Sequence, residues 1–224
     1  MGAAGHSTAR KMGILAALST TGVIVLYGVV LVLGLLSLSS PDQPIGQPYF
    51  ALMEVLILLM VPPLVVTMIA VGALAPDAQK PYATASVVFM AMMGCITSVV
   101  HFAIFVLRHQ STFANMPPQF LEFQWPSVVY ALDILAWDVF FGLSVLFAAA
   151  AIRGSGLASW IRWLLIASGV LALLGLTGLI TDDMQIRNIG ILGYSGVFPV
   201  ATLLIAVLFY RMPDDPETDP SFVR

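Results

Sequence analysis

Charged side chains are scarce in this sequence. Only 9% of its 224 residues are Asp, Glu, Lys or Arg, whereas 59% are hydrophobic. Soluble domains have about 25% charged and about 45–50% apolar residues. A mean hydropathy of +0.97 points the same way. So few charges cannot cover the surface of a water-soluble globule, which excludes a cytosolic enzyme and a disordered chain and indicates an integral membrane protein.

Several other features are absent, and each absence excludes a class of protein. Cys95 is the single cysteine, so no disulfide can form within the chain. The net charge is −3 and no basic patch is present, so we predict no nucleic-acid partner. No P-loop, dinucleotide fingerprint, serine nucleophile elbow or H-E-x-x-H spacing occurs. We therefore predict no cofactor and no metal site.

The sequence does contain long apolar runs. A membrane-spanning helix needs about 20 mostly apolar residues, and the alternation expected of a membrane β-barrel is missing. We therefore predict an all-α polytopic integral membrane protein with six transmembrane helices in one bundle. The predicted spans are Gly13–Leu38, Tyr49–Leu74, Thr84–Leu107, Ser127–Ile152, Ser159–Ile180 and Gly190–Tyr210.

The basic residues predict the orientation of these spans. Cytoplasmic loops of membrane proteins are enriched in Lys and Arg. The uneven distribution of Lys and Arg between the two sides, given below, predicts cytoplasmic termini (N-in/C-in). Residues 1–12 would then form a cytoplasmic segment, 13–210 the transmembrane domain and 211–224 a cytoplasmic acidic tail. We expect the protein in the plasma (inner) membrane of a bacterium. With the N-terminus inside, Arg10, Lys11, Lys80, Arg153, Arg162, Arg211 and Arg224 lie on the inner side, and Arg108 and Arg187 on the outer side.

The longest connection, residues 108–126, is predicted to lie outside. It contains Phe113, Phe120, Phe123 and Trp125. Aromatic side chains favour the membrane–water interface, so we expect this loop to lie along the membrane surface.

Four ionisable residues fall inside the predicted spans: Glu54, His101, Asp133 and Asp138. Such groups cost a few kcal/mol in the hydrocarbon layer and usually face the bundle interior. Each could instead make a purely structural polar contact between helices. At 1.5 Å rise per residue, Glu54, His101 and Asp133 lie about 8–10 Å below the outer boundary, and Tyr194 lies at a comparable depth.

Helical spacing places several candidates on two stripes that should face the interior. Asp138 is five residues after Asp133, which turns it about 140° away on an undistorted helix. Asp138 is therefore expected to point elsewhere, as a deeper proton-relay group or a buried structural acid. The stripes are Gly94, Thr97, Ser98, His101 and Arg108 on the third span, and Tyr130, Asp133, Trp137, Phe141 and Ser144 on the fourth.

Prolines and small residues mark particular helices. Pro62 and Pro63 lie near the middle of the second span and Pro199 lies in the sixth. Proline removes a backbone donor, so the pair predicts either a tolerated kink or a functional feature, namely a hinge or a broken helix that lines a cavity. The small residues of the fifth and sixth spans predict close helix packing.

Three functions remain open. The first is binding or transport of a small molecule, with or without coupling to protons, through a polar pocket in the outer half of the bundle. The second is an intramembrane enzyme that uses carboxylate acid–base chemistry on an isoprenoid or other lipid. The third is a sensor or assembly partner with structural acids.

These readings share the same predicted partners and residues. The partners are membrane lipid and a small-molecule or lipid-like ligand, and a homo-oligomer remains open. The candidate proton-exchanging or catalytic residues are Glu54, His101 and Asp133, and the candidate ligand-binding residues are Tyr194, Asp138, Trp137, Tyr130, Ser98 and Arg108.

Overall fold

The computed structural model describes residues 3–40, 43–108, 110–113 and 116–213. Across these residues the chain is helical and contains no strand. Six helices are long and apolar enough to cross a membrane, as predicted. They are α1 (Ala3–Leu36), α2 (Tyr49–Leu74), α3 (Lys80–Leu107), α4 (Val128–Ala151), α5 (Leu157–Thr181) and α6 (Met184–Arg211).

Most helix bounds agree closely with the predicted spans, but two helices begin early. The helix α1 begins at Ala3 rather than at Gly13, so most of the predicted cytoplasmic segment 1–12 is helical. The bounds of α2 match the prediction, whereas α6 begins at Met184 rather than near Gly190. Arg187, which the sequence placed in an outer loop, is therefore part of α6. The predicted acidic tail lies outside the described residues from 214 onward.

The helices form a closed ring in chain order. Each helix packs against the next one, and α1 packs against α6 to close the ring. Leu64, Met90, Phe141 and Phe198 are buried in the interior. The ring therefore encloses a core to which the inner faces of all the helices can contribute, while the outer faces remain apolar and exposed.

The start of α1 and the end of α6 lie at the same end of the bundle. Arg10, near the start of α1, donates from Nε to the carbonyl of Phe209 at 3.1 Å and from Nη2 to that of Tyr210 at 3.2 Å. At this same end, Arg153 after α4 donates to Gln79 before α3 at 3.0 Å. We call this the terminal end and the other the opposite end.

The prolines are accommodated in two ways. Pro62 and Pro63 lie within the uninterrupted helix α2, so the alternative of a broken helix is wrong. Thr67 donates to the Pro63 carbonyl at 2.7 Å. Pro199 follows a π-helical stretch, Leu192–Val197, which interrupts the α-helical pattern of α6.

Small residues bring α5 close to its neighbours, as the sequence predicts. A methyl group on Gly169 would lie 2.8 Å from the Gly142 carbonyl of α4, and one on Gly193 would lie 2.6 Å from the Ser168 carbonyl. Ser168 also donates to the Gly193 carbonyl at 3.0 Å. These contacts hold α6 tightly against α5.

Candidate functional site

A histidine bridges two carboxylates from neighbouring helices. Nδ1 of His101 on α3 lies 2.8 Å from Oε2 of Glu54 on α2, and its Nε2 lies 3.3 Å from Oδ1 of Asp133 on α4. All three side chains are buried. A neutral imidazole carries one N–H and can donate only once, so two donated bonds require the protonated ring. The geometry therefore provides a place where a proton is shared.

An arginine from α6 extends this chain of groups. Arg187 donates from Nη2 to Asp133 Oδ2 at 3.4 Å and from Nε to Asp138 Oδ2 at 3.3 Å. Its Nη1 donates to the Tyr130 hydroxyl at 3.4 Å, and its guanidinium carbon lies 5.1 Å from the centre of the Tyr130 ring. The side chain is only 5% exposed. We call Glu54, His101, Asp133, Arg187 and Asp138 the polar network.

Local structure explains how Arg187 reaches the interior. Asp183 caps α6 by accepting a hydrogen bond from the Gln185 amide at 2.9 Å, so the helix begins before Arg187. A methyl group on Gly178 of α5 would lie 2.8 Å from the backbone nitrogen of Arg187, and one on Gly190 would lie 2.5 Å from Asp138 Oδ1. The glycines therefore allow the backbone around Arg187 to approach both α5 and Asp138.

A π-helical stretch places both aspartates on Arg187. Residues Leu135–Phe141 of α4 are π-helical, and the hydrogen bonds of a π-helix join residues five apart. Asp133 and Asp138 are separated by this interval, and both contact Arg187. We expected the two aspartates to point in different directions, but that expectation assumed a regular α-helix. The π-helical stretch departs from that geometry.

Two buried polar atoms have no hydrogen-bond partner among the described residues: Asp138 Oδ1 within the network and Trp137 Nε1 next to it. Asp138 is fully buried and Trp137 is 5% exposed. The Tyr194 ring packs against Trp137 at 5.1 Å and against Phe141 at 6.0 Å between ring centres. Tyr194 therefore belongs to an aromatic cluster next to the network, and unpaired buried polar atoms of this kind require an explanation.

Aromatic residues of the connection between α3 and α4 cover the network at the opposite end. The Phe123 ring lies 5.5 Å from the His101 ring and 5.1 Å from the Tyr130 ring, and Trp125 lies 6.5 Å from Tyr130. Phe123 remains 39% exposed. This part of the predicted surface loop therefore caps the site while reaching solvent or the membrane surface.

Two predicted ligand-binding residues lie apart from the network. Arg108 is exposed, and its guanidinium carbon stacks 4.2 Å from the centre of the Phe50 ring. Ser98 is half-buried and lines an apolar groove of about 480 Å³ on the outer face of α2 and α3. The other groove residues are Leu58, Val99, Phe102, Ala103, Val106 and Leu107.

The remainder of the two predicted stripes faces the interior. Gly94 and Thr97 of α3 are buried, as are Trp137, Phe141 and Ser144 of α4. Ser144 joins the two helices by donating to the Ser86 carbonyl at 2.8 Å. The stripes therefore predicted the interior faces, with Ser98 and Arg108 as the departures.

Sequence reasoning missed Arg187, Phe123 and Trp125 as members or neighbours of the site. The sequence did contain a signal for Arg187. Asp183 is a residue type that often caps the N-terminus of a helix, and a helix capped there begins at Met184 and includes Arg187. No comparable signal existed for the loop aromatics, because their contacts depend on how the loop folds back onto α3 and α4.

The network brings together three carboxylates, one arginine and one histidine. No group of His, Cys, Asp and Glu in residues 3–40, 43–108, 110–113 and 116–213 is arranged to hold a metal ion. No protein-family model, curated protein or solved structure gives a significant match to this chain. The six apolar helices define the class, a multi-pass membrane protein, and the function must be argued from the network itself.

Proposed function

We propose that this chain is a proton-coupled membrane protein that binds and transports a small molecule through the polar network. The observation that carries the proposal is the buried chain of contacts from Glu54 through His101, Asp133 and Arg187 to Asp138. It joins four helices in one half of the bundle.

The charges of the network favour proton exchange. With His101 protonated, two cations face three carboxylates, and with His101 neutral, only Arg187 offsets them. Uncompensated charge is costly in a membrane interior. The network is therefore stable only if protons or another cation balance it, and this is the chemistry that proton coupling needs.

The position of the network supports access from one side of the membrane. Glu54, Asp133 and Arg187 lie within the first turns of α2, α4 and α6, and His101 lies near the end of α3, all toward the opposite end. We propose that this end faces outward and that both termini are cytoplasmic, since most basic residues flank the terminal end. The membrane would then be a bacterial plasma membrane.

Infrared spectroscopy tests proton exchange directly. We expect the carbonyl band of protonated carboxylic acids to grow as purified protein in lipid is taken from mildly alkaline to mildly acidic pH. Glu54→Gln and Asp133→Asn each remove a carboxylate partner of His101, so each should alter this change. The matched controls are Glu122→Gln and Asp182→Asn, which change exposed carboxylates outside the network.

Transport is tested in liposomes that enclose a pH-sensitive dye. We expect at least one class in a panel of cationic, neutral and anionic solutes to cause proton movement with the wild-type protein and not with Glu54→Gln. If the two neutralised variants keep the wild-type infrared change, the acids are structural and the proposal is wrong.

A second candidate, an intramembrane enzyme with a lipid substrate, is favoured by the apolar groove. Leu58 follows Glu54 by one turn, and Ser98 and Phe102 flank His101. An acyl or isoprenoid chain held there would lie on the outer face of α2 and α3, the two helices that carry Glu54 and His101. Mass spectrometry of lipids from cells that produce wild-type protein or Glu54→Gln distinguishes this function, because only an enzyme changes the lipid profile.

A further inference from the structure

We propose that the small molecule is an organic cation, and that it binds at Asp133 in exchange for a proton. This inference rests on the proposed function and names its substrate class. Three features carry it: an excess of carboxylates, loosely held acceptor atoms and an aromatic wall beside them.

Arg187 shows what this site recognises. Its guanidinium lies between Asp133 and Asp138 and over the Tyr130 ring. Carboxylates together with the face of an aromatic ring form a typical site for a weakly hydrated cation. The protein thus already holds one guanidinium in this surrounding, and three acids leave room for a second positive charge.

Asp133 is the acid best placed to accept that charge. It lies between the two basic groups, and its contacts with His101 at 3.3 Å and Arg187 at 3.4 Å are longer than the 2.8 Å contact between His101 and Glu54. A cation that pairs with Asp133 can therefore replace long contacts while the shorter pair remains.

Asp138 gives an independent indication of a ligand. Its Oδ1 is fully buried and has no hydrogen-bond partner among the described residues. We expect Arg187 to move toward Asp138 when a ligand occupies Asp133. Asp138 Oδ1 can then accept a hydrogen bond from the guanidinium, because a guanidinium can donate to both oxygens of one carboxylate. The site then keeps every acid paired.

The balance of charge requires a proton to leave. The protonated ring of His101 donates from Nδ1 to Glu54 and from Nε2 to Asp133. When the cation replaces His101 at Asp133, the Nε2 proton leaves and the neutral ring keeps its bond to Glu54. One cation enters and one proton departs, so the net charge of the network does not change. The ionisable side chains that face Asp133 come from every helix except α5, which contributes small residues here. They are Tyr27 of α1, Glu54 of α2, His101 of α3, Tyr130 and Asp138 of α4, and Arg187 and Tyr194 of α6.

The loop aromatics offer a path for such a cation. Phe123 contacts His101 and Tyr130 and is partly exposed, and Trp125 lies beyond Tyr130. A cation that passes these rings from the opposite end reaches Tyr130 and Asp133 in turn. A hydrated metal ion would gain less from such rings than an organic ammonium or amidinium.

Benzamidinium and benzamide form a matched pair of probes, because they share one shape and differ in charge. We expect isothermal titration calorimetry on the protein in lipid nanodiscs to show benzamidinium binding at least about tenfold more tightly than benzamide. Titrations in buffers of different ionisation enthalpy should show proton release on binding. Empty nanodiscs correct for partition into lipid.

Variants locate the binding. Asp133→Asn should weaken benzamidinium binding by at least about tenfold, and Asp182→Asn, the same change at an exposed position, should leave it unchanged. Tyr130→Leu keeps the charge and should weaken binding by about two- to tenfold, so it tests the site even if Asp133→Asn does not fold.

The outcomes separate this inference from the proposed function. Equal binding of benzamide, binding that survives in both site variants, or binding without proton release overturns the inference. If the infrared change is present and benzamidinium does not bind, the cation inference is wrong and proton coupling stands. If the infrared change is absent, the proposed function fails as well.

Discussion

At the scale of single residues, Arg187 holds the site together. It is the basic partner of both Asp133 and Asp138 and is almost wholly buried. Removing one member of a buried charge pair leaves the others without compensation in a medium of low dielectric. The stability of the bundle should therefore depend on this side chain more than on any exposed arginine.

Arg187→Met should lower the free energy of unfolding by about 3–5 kcal/mol at neutral pH. Part of the loss should be recovered at mildly acidic pH, because protonation neutralises the unpaired carboxylates. Thermal unfolding in detergent at both pH values measures this. Arg108→Met, at an exposed arginine over Phe50, should cost less than about 1 kcal/mol, and equal effects of the two substitutions would contradict the role of Arg187.

Gly190→Ala tests the close approach of α6 to Asp138. The added methyl group would lie 2.5 Å from Asp138 Oδ1, so we expect a loss of about 1–3 kcal/mol from overpacking. Gly196 on the same helix has open space around it. Gly196→Ala should therefore be neutral or stabilising by up to about 1 kcal/mol, and thermal unfolding of both variants decides the matter.

At the scale of secondary-structure elements, the π-helical stretch of α4 determines which acids act together. A regular helix would direct Asp133 and Asp138 about 140° apart. The stretch Leu135–Phe141 brings both to the same guanidinium. The network thus depends on a local departure from regular helix geometry.

A double-mutant cycle measures this coupling. Asp133→Asn and Asp138→Asn share one partner, so their effects on stability should be non-additive by about 0.5–3 kcal/mol. The control pair is Asp138→Asn with Asp182→Asn, whose second member is exposed and should add independently within about 0.5 kcal/mol. Additivity in the first pair would show that the aspartates do not act through one arginine.

At the scale of the whole molecule, the closed ring of helices has two distinct ends. The start of α1 and the end of α6 lie at the terminal end, and the network lies toward the opposite end. The contacts of Arg10 with Phe209 and Tyr210 join the two ends directly. The orientation in the membrane is therefore defined by whether the terminal end or the opposite end faces the cytoplasm. The distribution of Lys and Arg predicts the terminal end.

Single cysteines in a Cys95→Ser background test the orientation. A membrane-impermeant maleimide added to intact cells should label Ser111→Cys at the opposite end and not Ser155→Cys at the terminal end, both exposed positions. Lysed cells provide the control, since both positions should then react. The reverse pattern in intact cells would invert the proposed topology.

The sequence by itself determined the class of protein, the number of spans and most of the interior. Long apolar runs can be satisfied only by helices in a membrane, and the cost of burying Glu54, His101 and Asp133 marked them as neighbours at one depth. Tertiary structure decided the rest. Arg187 joined the site because close glycine contacts and an early helix start carried it inward, and Asp138 joined because α4 is π-helical. Both depend on packing between helices distant in sequence, which a pattern read along one helix does not contain.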